Sequence, residues 1–100
     1  MRQRHSFHLD RGGRSVTVNV RSGWITETEV LVDGKEVAFH RVHGHGVYPL
    51  ALAAELPGPP EGPGRPVAVR LERTGVAERP LDCTLELGGA VHPMEERTER

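Results

Sequence analysis

The sequence predicts an all-β fold, a single antiparallel β-sandwich of about seven or eight short strands. Hydrophobic residues alternate with polar residues at period two through much of the chain, as on strands that bury one face. Two pairs of turn residues, Asp33-Gly34 and Gly88-Gly89, lie between hydrophobic runs and favour two-residue hairpin turns. Further turn residues recur at regular short spacing, which is typical of sandwiches. A small β-barrel is the alternative that the same pattern allows.

Four strands are predicted in the first half of the chain. The alternation places them at residues 5–10, 14–21 and 24–32, with a fourth after the Asp33-Gly34 turn. On this fourth strand, Val37 and Phe39 are predicted to point into the core. Residues 42–47 contain two glycines and are predicted to be a flexible connection.

The second half contains one ambiguous segment and three more strands. Residues 48–56 are rich in Ala and Leu, which favour a helix, but the run is short and an edge strand fits equally well. Residues 57–66 hold five prolines and are predicted to be an exposed loop, too short to divide the single domain, 1–100. Strands are predicted at 66–73, 81–87 and 90–92. Residues 94–100 are predicted to be a charged, disordered tail.

The composition excludes several classes of partner. The formal net charge is −1, whereas nucleic-acid and membrane-surface binding favour a basic face. No apolar run approaches the length of a membrane span. Cys83 is the single cysteine, so no intramolecular disulfide forms, and a cytoplasmic protein is the simplest interpretation.

No residue pattern indicates catalysis. Cys83 alternates with Leu81 and Leu85, which predicts a buried and inert thiol rather than a nucleophile. The serines lie in no nucleophile-elbow context, and the carboxylates read as the solvated face of a sheet. The chain is therefore predicted not to be an enzyme and to need no cofactor.

A cluster of histidines offers one alternative function. His40, His43 and His45 carry neutral imidazoles, which are good ligands for a divalent transition metal. Gly44 and Gly46 would let the chain fold round an ion. No cysteine or carboxylate stands at a known metal-ligand spacing, so a solvated loop is the more ordinary reading of these histidines.

The candidate binding residues are Trp24, Thr26 and Thr28. Trp24 begins a strand after Ser22-Gly23, where it either packs over the end of the core or marks an exposed binding patch. The polar row of Thr26 and Thr28 beside it leaves room for a partner strand or peptide to pair at a sheet edge.

Two stretches resemble the repeated β-domain of the Fas apoptotic inhibitory molecule family. They are VLVDGKE at 30–36, with Phe39 shortly after, and TLELGG at 84–89, followed by MEER at 94–97, which is similar to that domain's closing hairpin and tail. Residues 66–74 correspond to the strand before it. The resemblance covers about two-thirds of the chain and implies an antiparallel β-sandwich with a non-enzymatic interaction role. The chain has one domain where the family usually has two, its Pro/Gly loop at 57–66 is extra, and it lacks the family's richness in aromatic residues, so the apoptotic role is not carried over.

These observations together predict a non-enzymatic β domain that binds an unknown protein or peptide. The alternatives are a metal-binding protein that uses the His-rich loop and a β-barrel that binds a small molecule, which would need an enclosed apolar pocket.

Overall fold

Nine strands and no helix form in the part of the chain that the structure, a computed structural model, describes, namely residues 3–58 and 64–97. No segment of those residues forms a helix that could cross a membrane. The strands in chain order are β1 (Gln3–Arg11), β2 (Arg14–Ser22), β3 (Ile25–Val32), β4 (Lys35–His43), β5 (Leu50–Leu56), β6 (Arg65–Arg73), β7 (Leu81–Leu87), β8 (Ala90–Pro93) and β9 (Glu95–Arg97).

The strands form two antiparallel sheets. One sheet has five strands in the order β4-β3-β2-β1-β9, and the other has four in the order β5-β6-β7-β8. The predicted sandwich is therefore confirmed, and the two sheets do not close into the alternative barrel. The ambiguous segment 48–56 forms a strand, β5, rather than a helix.

Two-residue turns connect three of the strand pairs. Gly12-Gly13 joins β1 to β2, Asp33-Gly34 joins β3 to β4, and Gly88-Gly89 joins β7 to β8. Both residues of each turn have positive φ, including Asp33 at 51°. This is the backbone that a type I′ turn requires, because its twist matches the twist of the flanking strands.

The inner faces of the two sheets share one apolar core. Three valines of β2 are fully buried and pack in the same cluster as Val69, Leu71 and Leu85 of the facing sheet. The buried members of this cluster are Phe7, Val16, Val18, Val20, Val30, Val32, Leu56, Val67, Val69, Leu71, Leu81, Cys83, Leu85 and Met94. Burial of each large aliphatic side chain contributes roughly 1.5–3 kcal/mol, so the period-two rows supply most of the driving force for folding.

The prediction that Phe39 points into the core is wrong. The register between β3 and β4 shifts at Val30 and Leu31, which leaves Val37 as an extra residue on β4. Val37 and Ala38 both pack against the core as a result, and Phe39 is 47% exposed on the outer face. A β-bulge of this kind reverses the alternation of every residue that follows it.

Parts of three segments that are predicted to be loop or tail belong to strands instead. Met94 is buried and Glu95–Arg97 pairs with β1, so the prediction of a disordered tail from residue 94 is wrong for these residues. Residues 98–100 lie outside the described residues. Pro66 lies in β6, opposite Glu55, and residues 59–63 of the predicted loop are also outside the described residues. The predicted flexible connection begins later than expected, because β4 continues to His43.

Candidate functional site

Trp24 is the most exposed large hydrophobic side chain among the described residues, with 94% of its surface accessible. The indole therefore marks an exposed patch and does not pack over the end of the core. Its backbone is nevertheless fixed, because the Gly44 N–H donates a hydrogen bond to the Trp24 carbonyl at 2.7 Å. Gly44 has a φ of 84°, which a residue with a side chain rarely adopts. The protein thus presents a free aromatic ring on a constrained backbone.

The side chain of Thr26 stabilises the backbone at Gly44, which in turn binds the Trp24 carbonyl. It is buried, and its hydroxyl donates a hydrogen bond to the carbonyl of Gly44, the residue that holds Trp24. The prediction that Thr26 and Thr28 lie at an open sheet edge is wrong, because β3 is paired on one side with β2 and on the other with β4. A partner strand has no free backbone to pair with there.

Thr28 is buried at 1% exposure on the same inner face. It lies between Val20 on β2 and His40 on β4. Its hydroxyl has no hydrogen-bond partner within the described part of the chain. Thr28 therefore belongs to the core and contributes nothing to the surface round Trp24.

A groove of about 280 Å³ lies beside Trp24 on the outer face of the five-stranded sheet. We call it the Trp24 groove; its lining includes Arg21, Gly23, Trp24, Ile25, Glu27 and Arg41. Strand β3 supplies Ile25 and Glu27, while β2 and β4 supply one arginine each. The side chains reach the same face because each stands at an outward position of its strand.

The charges along the groove follow the strand register. Arg4, Arg21, Glu27 and Arg41 are consecutive partners across β1, β2, β3 and β4. Glu27 lies between two of them, with Oε1 3.8 Å from Arg21 Nη2 and Oε2 3.9 Å from Arg41 Nε. The row holds three guanidinium groups and one carboxylate, so it keeps a net positive charge. Sequence reasoning missed this row, because the bulge in β4, which no local signal predicts, places Arg41 rather than His40 opposite Glu27.

A second polar group on the outer face centres on His8. Its Nδ1 lies 3.1 Å from Thr17 Oγ1 and its Nε2 lies 3.0 Å from Asp10 Oδ1, while Ser15 Oγ is 3.5 Å from the same Nε2. A hydroxyl, an imidazole and a carboxylate in series are also the parts of a nucleophilic triad. Here the Asp10 side chain is 77% exposed, and water weakens its hold on the imidazole. The contacts join β1 to β2 across a solvated sheet face.

The structure does not bring the three candidate metal ligands together. His40 is opposite the buried Thr28 and faces inward, whereas His43 is opposite Ile25 and faces outward. His45 lines a separate depression between the sheets, beside His5 and Tyr48. Residues 3–58 and 64–97 contain no group of three or more His, Cys, Asp or Glu side chains that could hold a metal ion. Metal binding by these histidines stays a prediction that this arrangement gives no reason to favour.

The depression beside His45 is a cleft at one end of the sandwich, with a volume of about 320 Å³. The Arg73 guanidinium lies 5.1 Å from the centre of the Tyr48 ring, within range of a cation–π interaction. Partial burial raises the pKa of the Tyr48 hydroxyl, so the phenol stays protonated. The cleft offers hydrogen-bond donors and a cation, but it is open to solvent and is not the enclosed apolar pocket that a small-molecule barrel would need.

Cys83 is buried, as the alternation predicts. Its thiol contacts the Met94 thioether, with an Sγ–Sδ distance of 3.6 Å. Burial raises the pKa of the thiol to about 12. Because the thiolate is the nucleophilic form, Cys83 is inert in the folded protein.

Comparisons of this chain with protein-family models, with curated proteins and with solved structures found no match. The resemblance to the Fas apoptotic inhibitory molecule family stays a prediction.

Proposed function

We propose that this protein is a non-enzymatic β-sandwich domain that binds a segment of another protein through the Trp24 groove. The observation that carries the proposal is the 94% exposure of Trp24 on a backbone held by Gly44. Contiguous exposed apolar surface with a polar rim marks interaction sites, and Trp24 lies beside Ile25 in a groove rimmed by charged side chains. Tryptophan is also enriched among the residues that dominate binding energy at interfaces.

The groove indicates the chemistry of the partner. Trp24 and Ile25 offer apolar contact, and the row that contains Arg21 and Arg41 carries excess positive charge. An extended segment with one large apolar side chain flanked by Asp or Glu would complement both features. Arginine suits this purpose, because its planar guanidinium binds a carboxylate through two parallel hydrogen bonds.

The single cysteine, its burial and the absence of a disulfide are consistent with the cytoplasmic location that we propose for the protein. The inert thiol of Cys83 and the solvent exposure of Asp10, the carboxylate beside His8, support a binding role over a catalytic one. Turnover of any substrate by the purified protein would contradict this part of the proposal.

The proposal is tested by selecting binders from a random peptide library displayed on phage. Trp24 is the single tryptophan of the chain, so its fluorescence reports directly on the groove. We expect selected peptides to be rich in acidic and apolar residues and to shift the Trp24 emission to shorter wavelength as the ring leaves water. Trp24→Ala should weaken their binding by about thirtyfold or more, the loss typical of an interface hot spot.

The matched control is Val91→Ala. Val91 is an exposed apolar residue too, but it lies on β8 in the other sheet. This variant should bind the selected peptides as the wild type does. Arg41→Gln should weaken binding of the acidic peptides and leave the fold intact, because it removes the charge of an exposed residue without placing a carboxylate opposite Glu27. Peptides that bind Trp24→Ala and wild type equally well would show that the groove is not the binding site.

A further inference from the structure

Three of the four sheet edges carry features that discourage pairing with another chain. Strand β4 has a bulge and presents Lys35, Glu36 and Arg41. Strand β8 has four residues and ends in Pro93, and β9 has three residues, all charged. Short length, charge, proline and bulges are the means by which proteins protect exposed edges.

The fourth edge, β5, has none of these features. Its sequence is LALAAEL, seven residues with one charge. It contains no proline, and its pairing with β6 runs from Leu50 to Leu56 without a shift in register. Among the described strands β6 is its only hydrogen-bonded neighbour. The outer edge of β5 therefore has no proline, bulge or run of charge that would discourage pairing.

We propose that β5 pairs in antiparallel fashion with β5 of a second copy of this chain, joining two four-stranded sheets into one of eight strands. The two-fold axis passes beside Ala53, so that Ala53 faces Ala53 of the second copy. Leu50 then faces Leu56, Ala51 faces Glu55, and Leu52 faces Ala54. The site is on the other sheet from the Trp24 groove and does not depend on it.

The side chains of β5 fit this self-pairing. Leu50, Leu52, Ala54 and Leu56 pack against the core or within it, so the pairing extends a continuous apolar inner face. On the outer face Ala51, Ala53 and Glu55 are exposed. Each Glu55 stands opposite an alanine, which keeps the two carboxylates apart. Like charges directly opposite each other destabilise a strand pair, and this register avoids them.

The protection of the other edges also determines the size of the assembly. A two-fold pairing uses the same edge of both copies and leaves no second unprotected edge to continue the sheet. Pro49 and Pro57 flank β5 and limit the pairing to its seven residues. The expected product is a closed dimer and not a filament.

Sedimentation equilibrium over a wide range of protein concentration tests the dimer. The mass should rise from 11.0 kDa toward twice that value as the concentration increases. Ala53→Lys places two lysines opposite each other on the exposed face and should weaken the dimer about tenfold or more. Val91→Lys, on the opposite edge of the same sheet, should leave the mass unchanged. A mass of 11.0 kDa at every concentration would overturn the proposal.

Two further experiments separate specific pairing from a general effect of charge. Ala53→Lys and Ala53→Glu should each dimerise about tenfold more weakly than the wild type when alone and should form a heterodimer when mixed, because the lysine then faces a glutamate. Failure to form it would overturn the register. Circular dichroism of each variant confirms that the exposed substitution leaves the strands intact.

Cross-linking locates the two-fold axis. Ala53→Cys should form a disulfide between copies under mild oxidation, because directly opposed residues in an antiparallel pair lie within disulfide range. The native Cys83 is buried and does not compete. Ala51→Cys should cross-link far more slowly, because its counterpart in the second copy lies four residues along the strand, about 13 Å away. Equal rates for the two variants would contradict the proposed axis.

Discussion

Thr26 and Thr28 are neighbours on the inner face of β3, yet their hydroxyl groups are in opposite situations. Thr26 donates to the Gly44 carbonyl, whereas the Thr28 hydroxyl has no partner among the described residues. An unsatisfied buried hydroxyl costs about 1–3 kcal/mol, and an ordinary buried hydrogen bond contributes about 1 kcal/mol.

We therefore expect two valine substitutions of identical chemistry to act in opposite directions. Thr28→Val should raise the free energy of unfolding by about 1 kcal/mol, and Thr26→Val should lower it by about 1 kcal/mol. Urea denaturation of the two variants beside the wild type measures both changes. A loss of stability in Thr28→Val equal to that in Thr26→Val would mean that the Thr28 hydroxyl is satisfied in solution.

A second prediction for a single residue concerns the pKa of the Asp33 carboxyl group. Its carboxylate accepts a hydrogen bond from the Ser15 backbone N–H at 3.0 Å and another from Arg14 Nη1 at 2.8 Å. These two donors, the backbone N–H first, lower the pKa of Asp33 below its ordinary value of 3.8. The charged form is thus favoured by folding, so the stabilisation is present above pH 3.8 and is lost as the pH falls through the folded pKa.

Carboxyl NMR should give Asp33 a titration midpoint below 3.8 in the folded protein. Arg14→Ala should move that midpoint upward, though not fully, because the Ser15 N–H remains. The difference in unfolding free energy between wild type and Asp33→Asn should shrink as the pH is lowered. A midpoint at or above 3.8 would show that the donors do not hold the carboxylate in solution.

At the scale of the element, the bulge in β4 separates the two phenylalanines of the chain into different roles. Phe7 on β1 is 1% exposed, whereas Phe39 beyond the bulge is 47% exposed. Phe7→Ala should cost about 3–5 kcal/mol of stability, because it removes a ring from a packed core. Phe39→Ala should cost less than about 1 kcal/mol. Thermal or urea unfolding of the two variants compares them directly, and similar losses would mean that β4 lacks the bulge in solution.

The elements themselves were predictable to different degrees. Alternation and the Asp33-Gly34 and Gly88-Gly89 turns predict the paired strands on either side of them, because both signals are local in sequence. The bulge at Val37 was not predictable, since a strand with one extra residue has the same composition as a regular strand. Segment 48–56 was undecided between helix and strand because it forms β5 through pairing with β6, a contact that its own sequence does not encode.

For the whole molecule, the order of strands decides which residues can form a site, and strand order is the information that one sequence lacks. The polarity of Thr26 and Thr28 predicted a sheet edge, but β3 lies between β4 and β2 inside the sheet. Trp24 could be placed at the start of a strand but not assigned to core or surface. The charged row beside it exists only after β2, β3 and β4 are aligned. Binding by Trp24 therefore stays a prediction that its exposure allows, whereas the two threonines are buried and belong to no surface site.

Cys83 offers a probe of the whole molecule, because it lies where the two sheets meet. Its thiol contacts Met94, and the Met94 N–H donates a hydrogen bond to the Cys83 carbonyl at 2.9 Å, at the point where the chain passes from β8 to β9 in the other sheet. Exposure of this thiol requires the sandwich to open. Burial raises its pKa from 9.0 to about 12. As the pH rises between these values, the unfolded chain releases a proton that the folded chain retains, and stability is lost.

We expect alkylation of Cys83 by iodoacetamide near pH 8 to be slow in the folded protein and to follow global unfolding. The logarithm of the rate should increase linearly with urea concentration, with the slope measured for equilibrium unfolding, because the reactive population is the unfolded one. Val91→Cys supplies the control, since a thiol at this exposed position of β8 should react at once and independently of urea. Rapid alkylation of Cys83 without urea would mean that the segment between β8 and β9 opens locally. The two sheets would then be held together less firmly than their shared core implies.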